Sequence, residues 1–219
     1  MSTVLVIPDL HLPWCRKGSL NFVRKVQDKY KTNRTVFIGD ICDSAAISFH
    51  QRVPEMPDAI HEYKLALQQV KQWYKEFPCA FVTSGNHDLR CCRVAASVGI
   101  PSMYLKAMNE LYGTPQWKWV TQVDIDGVTF LHGDGFGGDY PWMNAARRLG
   151  QSCVLGHTHS RAGIGWLASQ KHLYFGFGVG CLVDDAAMCF QYAHARQNRS
   201  ILGCGVVKDG VPTWVPMEL

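Results

Sequence analysis

The run Val36-Phe37-Ile38-Gly39-Asp40-Ile41-Cys42-Asp43 decides how this chain is read. Three apolar, β-prone residues give way to a glycine and then to two carboxylates, so a buried strand ends where polar side chains begin. The junction recurs along the chain: residues 4–7 lead into Asp9-x-His11, 81–83 into Gly85-Asn86-His87-Asp88, 128–131 into His132-Gly133-Asp134, and 153–155 into Gly156-His157-Thr158-His159. A lone Asp or His at a strand end is usually a turn or cap residue. Five in order are not explained that way.

Ligand chemistry gives the clusters a common purpose. Two divalent cations roughly 3.5–4 Å apart need a bridging carboxylate and further donors arriving from separate elements. Asp, Asn and His are such donors, and a mixed nitrogen and oxygen set suits manganese, iron, zinc or nickel better than calcium, which prefers oxygen throughout. The residues do not choose among those four metals.

In order, the clusters read D-x-H, G-D-x-x-D, G-N-H-D, H-G and G-H-x-H over residues 9 to 159, and in this the chain resembles the calcineurin-like metallophosphoesterase superfamily. The resemblance is to its small stand-alone bacterial or phage-type members. It implies an α/β fold, a four-layer αββα sandwich of two mixed β-sheets flanked by helices, here as one domain over 1–219. It also implies two divalent metal ions, manganese foremost with iron, zinc or nickel as alternatives. Asp9, His11 and His159 would hold one metal, Asn86, His132 and His157 the other, and Asp40 would bridge them. His87 would face the phosphoryl group as general acid or charge stabiliser, with Asp43 accepting its hydrogen bond and fixing its tautomer.

Substrate contacts are less determined. Ser/Thr phosphoprotein phosphatases of that superfamily carry arginines where this chain has Ser44 and Ser84, and paired guanidinium groups are how such sites grip a phosphomonoester dianion. Their absence favours a phosphodiesterase acting on a nucleotide-like or small nucleic-acid diester. The alternatives are a phosphomonoesterase for nucleotides or phosphoproteins and a non-catalytic metal-binding scaffold. Arg90, two positions past Asp88, can reach back to the site, and His50 lies on the insertion between 43 and 57, so both are candidate substrate contacts. The glycine-rich stretch 133–140 reads as a rim over the metals.

Length and composition fit a single domain. With 219 residues, 47% of them hydrophobic, the chain can bury a substantial core, and its net charge of +4 does not mark a nucleic-acid-binding surface. The nine cysteines contain no C-x-x-C pair and are odd in number, which points to reduced thiols and a cytoplasmic setting, and no obligate protein partner is evident in the sequence. The longest mainly apolar run, 173–183, is too short and glycine-rich to span a bilayer.

Periodicity supplies the remaining elements. Helices are expected over 59–77 with Asp58 as cap and Pro78 as stop, over 102–112, and over 141–149 between Pro141 and Gly150. Another begins at a Ser19 cap and carries Leu20, Val23, Val26 and Tyr30. Asp126-Gly127 and Asp209-Gly210 should turn hairpins. Strands are expected over 118–125, 128–132, 173–177, 202–207 and 213–215.

Overall fold

The computed structural model describes residues 2–49, 54–187 and 199–218. Strands β1 (Thr3–Ile7), β2 (Arg34–Phe37), β3 (Ala80–Thr83) and β4 (Trp117–Val120) run parallel, and β10 (Gly203–Lys208) and β11 (Val211–Pro216) add antiparallel strands beyond β1. This makes a six-stranded mixed sheet of order β11-β10-β1-β2-β3-β4. The second sheet has order β5-β6-β7-β9-β8. It comprises β5 (Gln122–Ile125), β6 (Val128–Leu131), β7 (Ser152–Leu155), β8 (Ala162–Ala168) and β9 (Leu173–Val179), with β6, β7 and β9 parallel and both edges antiparallel.

The two-residue period of a strand explains the layers. On β1, Val4 and Val6 face the second sheet and pack with Val36, Ile38, Phe130, Val154 and Phe177, whereas Leu5 and Ile7 face the helices. There α1 (Ser19–Tyr30) brings Val23 and Val26, and α2 (Ala59–Glu76) brings Ala66, Val70 and Trp73. On the opposite side α5 (Pro141–Leu149) lays Trp142, Ala145 and Ala146 on Cys153 and Leu155 of β7. Helix, sheet, sheet and helix thus stack as the expected αββα sandwich.

Several expected elements differ in detail. The helix expected over 102–112 divides into a 3-10 turn, Ser102–Tyr104, and α4 (Met108–Leu111), while α3 (Arg90–Ser97) precedes both. Met103 and Tyr104 are exposed, so too little apolar surface is buried to sustain three helical turns. The strand expected over 118–125 breaks at Thr121: β4 closes one sheet and β5 opens the other. Gly18 (φ 90°), not Ser19, caps α1, and the Ser19 hydroxyl donates to the carbonyl of Arg16 at 2.7 Å.

The buried face of α2 includes a carboxylate. Ile60 is exposed, and the core row is Glu62, Ala66, Val70 and Trp73. Strand β8 has no strong sequence signal because Gly163 and Gly165 weaken it. Those glycines make room for α5, since a Cβ at Gly163 would lie 3.0 Å from the Trp142 ring. The Asp126-Gly127 and Asp209-Gly210 turns form as expected, with all four residues at positive φ.

Candidate metal centre

The polar clusters meet because their strands end together. β1, β2 and β3 of one sheet and β6 and β7 of the other all point their C-terminal ends toward one edge of the sandwich. The chain turns sharply there, with left-handed backbone at His11 (φ 48°), Asp40 (φ 49°) and His157 (φ 63°). Non-glycine residues persist in that region only when their surroundings hold them. Gly85 shows how tight the approach is, because a Cβ there would sit 2.6 Å from the backbone nitrogen of Asp40 and overlap its carboxylate.

Donor atoms fall into adjoining groups: Asp9, His11 and His159 in one, Asp40, His132 and His157 in another, with His11, Asp40 and His87 between them. Asp9 Oδ2 lies 3.1 Å from His159 Nε2 and accepts from the backbone N–H of His157 at 3.0 Å. Asp40 Oδ2 lies 3.5 Å from His11 Nε2 and 3.2 Å from His132 Nε2, so one oxygen faces both groups. Asn86 Oδ1 joins the second group, 3.1 Å from His132 Nε2.

Tautomer logic tests whether these groups fit cations. His132 Nδ1 sits 2.9 Å from the carbonyl of Ile38, which only accepts, so Nδ1 carries the hydrogen. In the neutral ring Nε2 is then a lone pair aimed at Asp40 Oδ2, Asn86 Oδ1 and, at 3.2 Å, His157 Nδ1. Lone pairs converging on a point ask for a positive charge. Burial alone disfavours the imidazolium, yet the charge and hydrogen bond of Asp40, aided by Asp9, push His132 up to about 10. In the same field Asp40 is held well below the usual carboxylate range: burial raises it, but His132, His11 and His87 outweigh that. The donor set fits divalent ions, and a proton on His132 is the substitute for one.

Beside the donor groups lies an acid–base arrangement. Asp43 Oδ1 is 2.6 Å from His11 Nδ1 and 3.0 Å from His87 Nδ1, and the Asp43 carbonyl is 2.8 Å from the same His87 nitrogen. His87 Nδ1 therefore carries a hydrogen, which leaves Nε2 as the other ring nitrogen, on the side of Arg90. Burial disfavours the charged ring, but Asp43 and Asp40 raise His87 above the ordinary imidazole value. Arg90 is buried, and its Nη1 donates to the carbonyls of Asp43 (2.8 Å) and Ser44 (3.0 Å), while Nη2 lies 3.1 Å from His87 Nε2. Most of that guanidinium is spent on the loop rather than directed at solvent. Arg93 donates to the Asn86 carbonyl at 3.0 Å.

His50 lies outside the described residues. The rim segment is mostly exposed; Arg161 pairs with Asp139 at 3.3 Å and donates to the Gly138 carbonyl, and Asn144 Nδ2 donates to Gly137 at 2.8 Å.

The sequence pattern assigns Asp88 no role. It is buried, and its carboxylate accepts from the backbone N–H groups of Asp40 (2.8 Å), Ile41 (3.0 Å) and Gly85 (3.0 Å), tying the loops after β2 and β3 together. The pattern assigns no role to Glu62 either. The signal available was an acidic residue in phase with Ala66, Val70 and Trp73 on the core side of a helix.

Carboxylate, amide and imidazole groups gathered at the strand ends of two packed sheets define a metal-dependent hydrolase. The chain belongs to the calcineurin-like phosphoesterase family, whose model matches residues 2–185, and it is accordingly a metal-dependent phosphoric ester hydrolase. Among solved structures it is similar to Vacuolar Protein Sorting 29 from Cryptosporidium parvum, at 17% identity and TM-score 0.45, covering 100% of this chain and 97% of that one. It is also similar to YfcE, a phosphoesterase from E. coli, at 13% identity and TM-score 0.44, covering 96% and 91%. The Pseudomonas putida nuclease MPE aligns at 10% identity and TM-score 0.42, covering 97% and 86%. No curated protein matches the chain. None of the described helices is long and apolar enough to cross a membrane.

Proposed function

We propose that this protein is a dinuclear metal-dependent phosphodiesterase, hydrolysing a nucleotide-like or small nucleic-acid phosphodiester, with residues 1–219 working as one catalytic domain. The observation that carries the dinuclear reading is the Asp40 carboxylate. Its Oδ2 faces His11 and His132 together, while Oδ1 accepts the backbone N–H of His87 at 2.8 Å. Asp9, His11 and His159 would hold one ion, Asn86, His132 and His157 the other, and Asp40 both. Manganese is the first ion to test, with iron, zinc and nickel beside it. When bound, such ions supply Lewis-acid polarisation and a nucleophile at neutral pH.

The side chains do the rest. Asp43 orients His87 through Nδ1 and favours its charged form, so that Nε2 can deliver a proton to the leaving oxygen. A protonated Nε2 cannot accept from Arg90 Nη2. Charging His87 therefore turns that one amino group free to meet a phosphate oxygen, and discharging it takes the group back. A single donor matches the single negative charge of a diester better than the dianion of a monoester. Ser44 and Ser84, standing where arginines would grip a dianion, support the same preference. A reducing, cytoplasmic setting suits Cys42, Cys153, Cys181 and Cys204, which are buried and unbridged.

Manganese-dependent turnover of bis(p-nitrophenyl) phosphate and of p-nitrophenyl phosphate tests the reading. The diester should turn over faster. Faster monoester cleavage would make the protein a phosphomonoesterase, and no hydrolysis of either by the metal-loaded chain would remove the catalytic reading.

A further inference from the structure

We infer that Glu62 is a positioning residue for catalysis, holding from α2 the loop that aims Asp43 at His87; the inference rests on reading His87 as the proton donor. Glu62 is 3% exposed, although it sits on the core-facing row of its helix. A carboxylate in that position is costly unless its oxygens are satisfied. They are: Oε1 accepts from the backbone N–H of Ala45 and Oε2 from that of Ala46, each at 2.8 Å.

Arg90 completes the clamp from the other side, through its hydrogen bonds to the carbonyls of Asp43 and Ser44. Along residues 43–46 the first two carbonyls are thus taken by a guanidinium and the last two amides by a carboxylate. Between the two grips Ser44 adopts φ 54°, a left-handed backbone that a non-glycine residue keeps only under outside support. The clamped segment carries Asp43, whose carbonyl and Oδ1 both orient the His87 ring.

Releasing the Ala45 and Ala46 amides lets this segment relax, and His87 turns with Asp43. The donor groups depend less on it. Asp9, Asn86, His132, His157 and His159 stand on other loops. Asp40, earlier on the same loop, is held by Asp88 on its N–H and by the His87 N–H on its Oδ1, each at 2.8 Å. Only His11 shares Asp43, through Nδ1 at 2.6 Å, while its backbone N–H stays on the Asp40 carbonyl at 2.9 Å. Loss of Glu62 should accordingly impair proton delivery while leaving metal binding in place.

Proton delivery matters most when the leaving group is a poor one. The full-length, metal-loaded chain, its Glu62→Ala and Glu62→Gln variants and His87→Ala are assayed on methyl diesters whose leaving group runs from p-nitrophenol through phenol to an alkyl alcohol. Glu62→Ala should slow the poor leaving groups by up to about 100-fold, the scale of a 1 Å misplacement, and barely touch p-nitrophenol release. Glu62→Gln keeps one acceptor and the helix packing, so it should fall between wild type and alanine, with metal content unchanged in both. Equal losses across leaving groups, or wild-type behaviour in both variants, would overturn the inference. If His87→Ala steepens the leaving-group dependence and the Glu62 variants do not, only the role of Glu62 fails; if His87→Ala leaves it flat, the proton-donor reading fails first.

Discussion

The backbone N–H of His87 donates to Oδ1 of Asp40 at 2.8 Å. One oxygen of that carboxylate is thereby fixed by the loop bearing the proposed acid, while the other faces His11 and His132. The orientation of the donor carboxylate and the position of the proposed acid thus share a main-chain hydrogen bond. Side-chain substitutions can separate them, because that bond survives the loss of the imidazole.

His87→Ala keeps the N–H that orients Asp40, so the donor groups should persist. Metal content measured by elemental analysis should be unchanged, and kcat should fall by roughly 10²–10⁴, the range for a positioned acid or base. Loss of metal in parallel with activity would give His87 a structural role instead.

Asp40→Ala removes the oxygen that both groups share. Both ions should be depleted, and activity should not return with added manganese at concentrations that saturate the wild type. Normal occupancy of two ions in this variant would dismiss the bridging role.

Asp88→Asn tests the tie between the loops after β2 and β3. The carboxylate accepts three main-chain N–H groups, whereas an amide has one acceptor oxygen and must turn its NH2 toward a donor. The variant should lose about 1–3 kcal/mol of stability, read from denaturant midpoints. Burial and the neighbouring Asp40 charge push Asp88 up to about 7 from its ordinary 3.8. In the metal-free protein the folded state therefore binds this proton more tightly than the unfolded state, and the contribution of Asp88 to stability declines as pH rises between those two values. Asp88→Asn should remove that part of the slope; an unchanged slope would mean that Asp88 is not the group responsible.

The strand ends were legible in sequence because apolar runs stop abruptly at Asp9, Asp40, Gly85, His132 and Gly156. The sandwich was implied by the resemblance those junctions carry. Residues acting on main chain were not legible. Asp88 binds amides of Asp40, Ile41 and Gly85, and Glu62 those of Ala45 and Ala46, partners that no side-chain pattern encodes. Arg90 was visible as a nearby cation but not as a clamp on carbonyls, because reach is readable from spacing and direction is not. Strand β8 escaped for a related reason: its glycines serve the packing of Trp142 and Met143 rather than the strand itself.

With the charge and hydrogen bond of Asp40 pushing His132 up to about 10, ion binding at the proposed site should be a proton exchange. The metal-free ring should then be charged at pH 7, and an ion meeting Nε2 would displace that proton. Affinity at this group should accordingly rise with pH, close to tenfold per unit for each proton displaced, and level off as pH approaches about 10. The stability of the metal-free chain runs the other way. His132 has a folded value above the ordinary 6.5, so its proton stabilises the fold fully below that pH, and the contribution is lost as pH rises through about 10. Calorimetric titration with manganese at pH 7, in buffers of different protonation enthalpy, should report release of roughly one proton from this ring. His132→Gln, which has no titrating nitrogen, should weaken binding and abolish that release. Binding by the wild type without proton release would place the ion away from His132 Nε2.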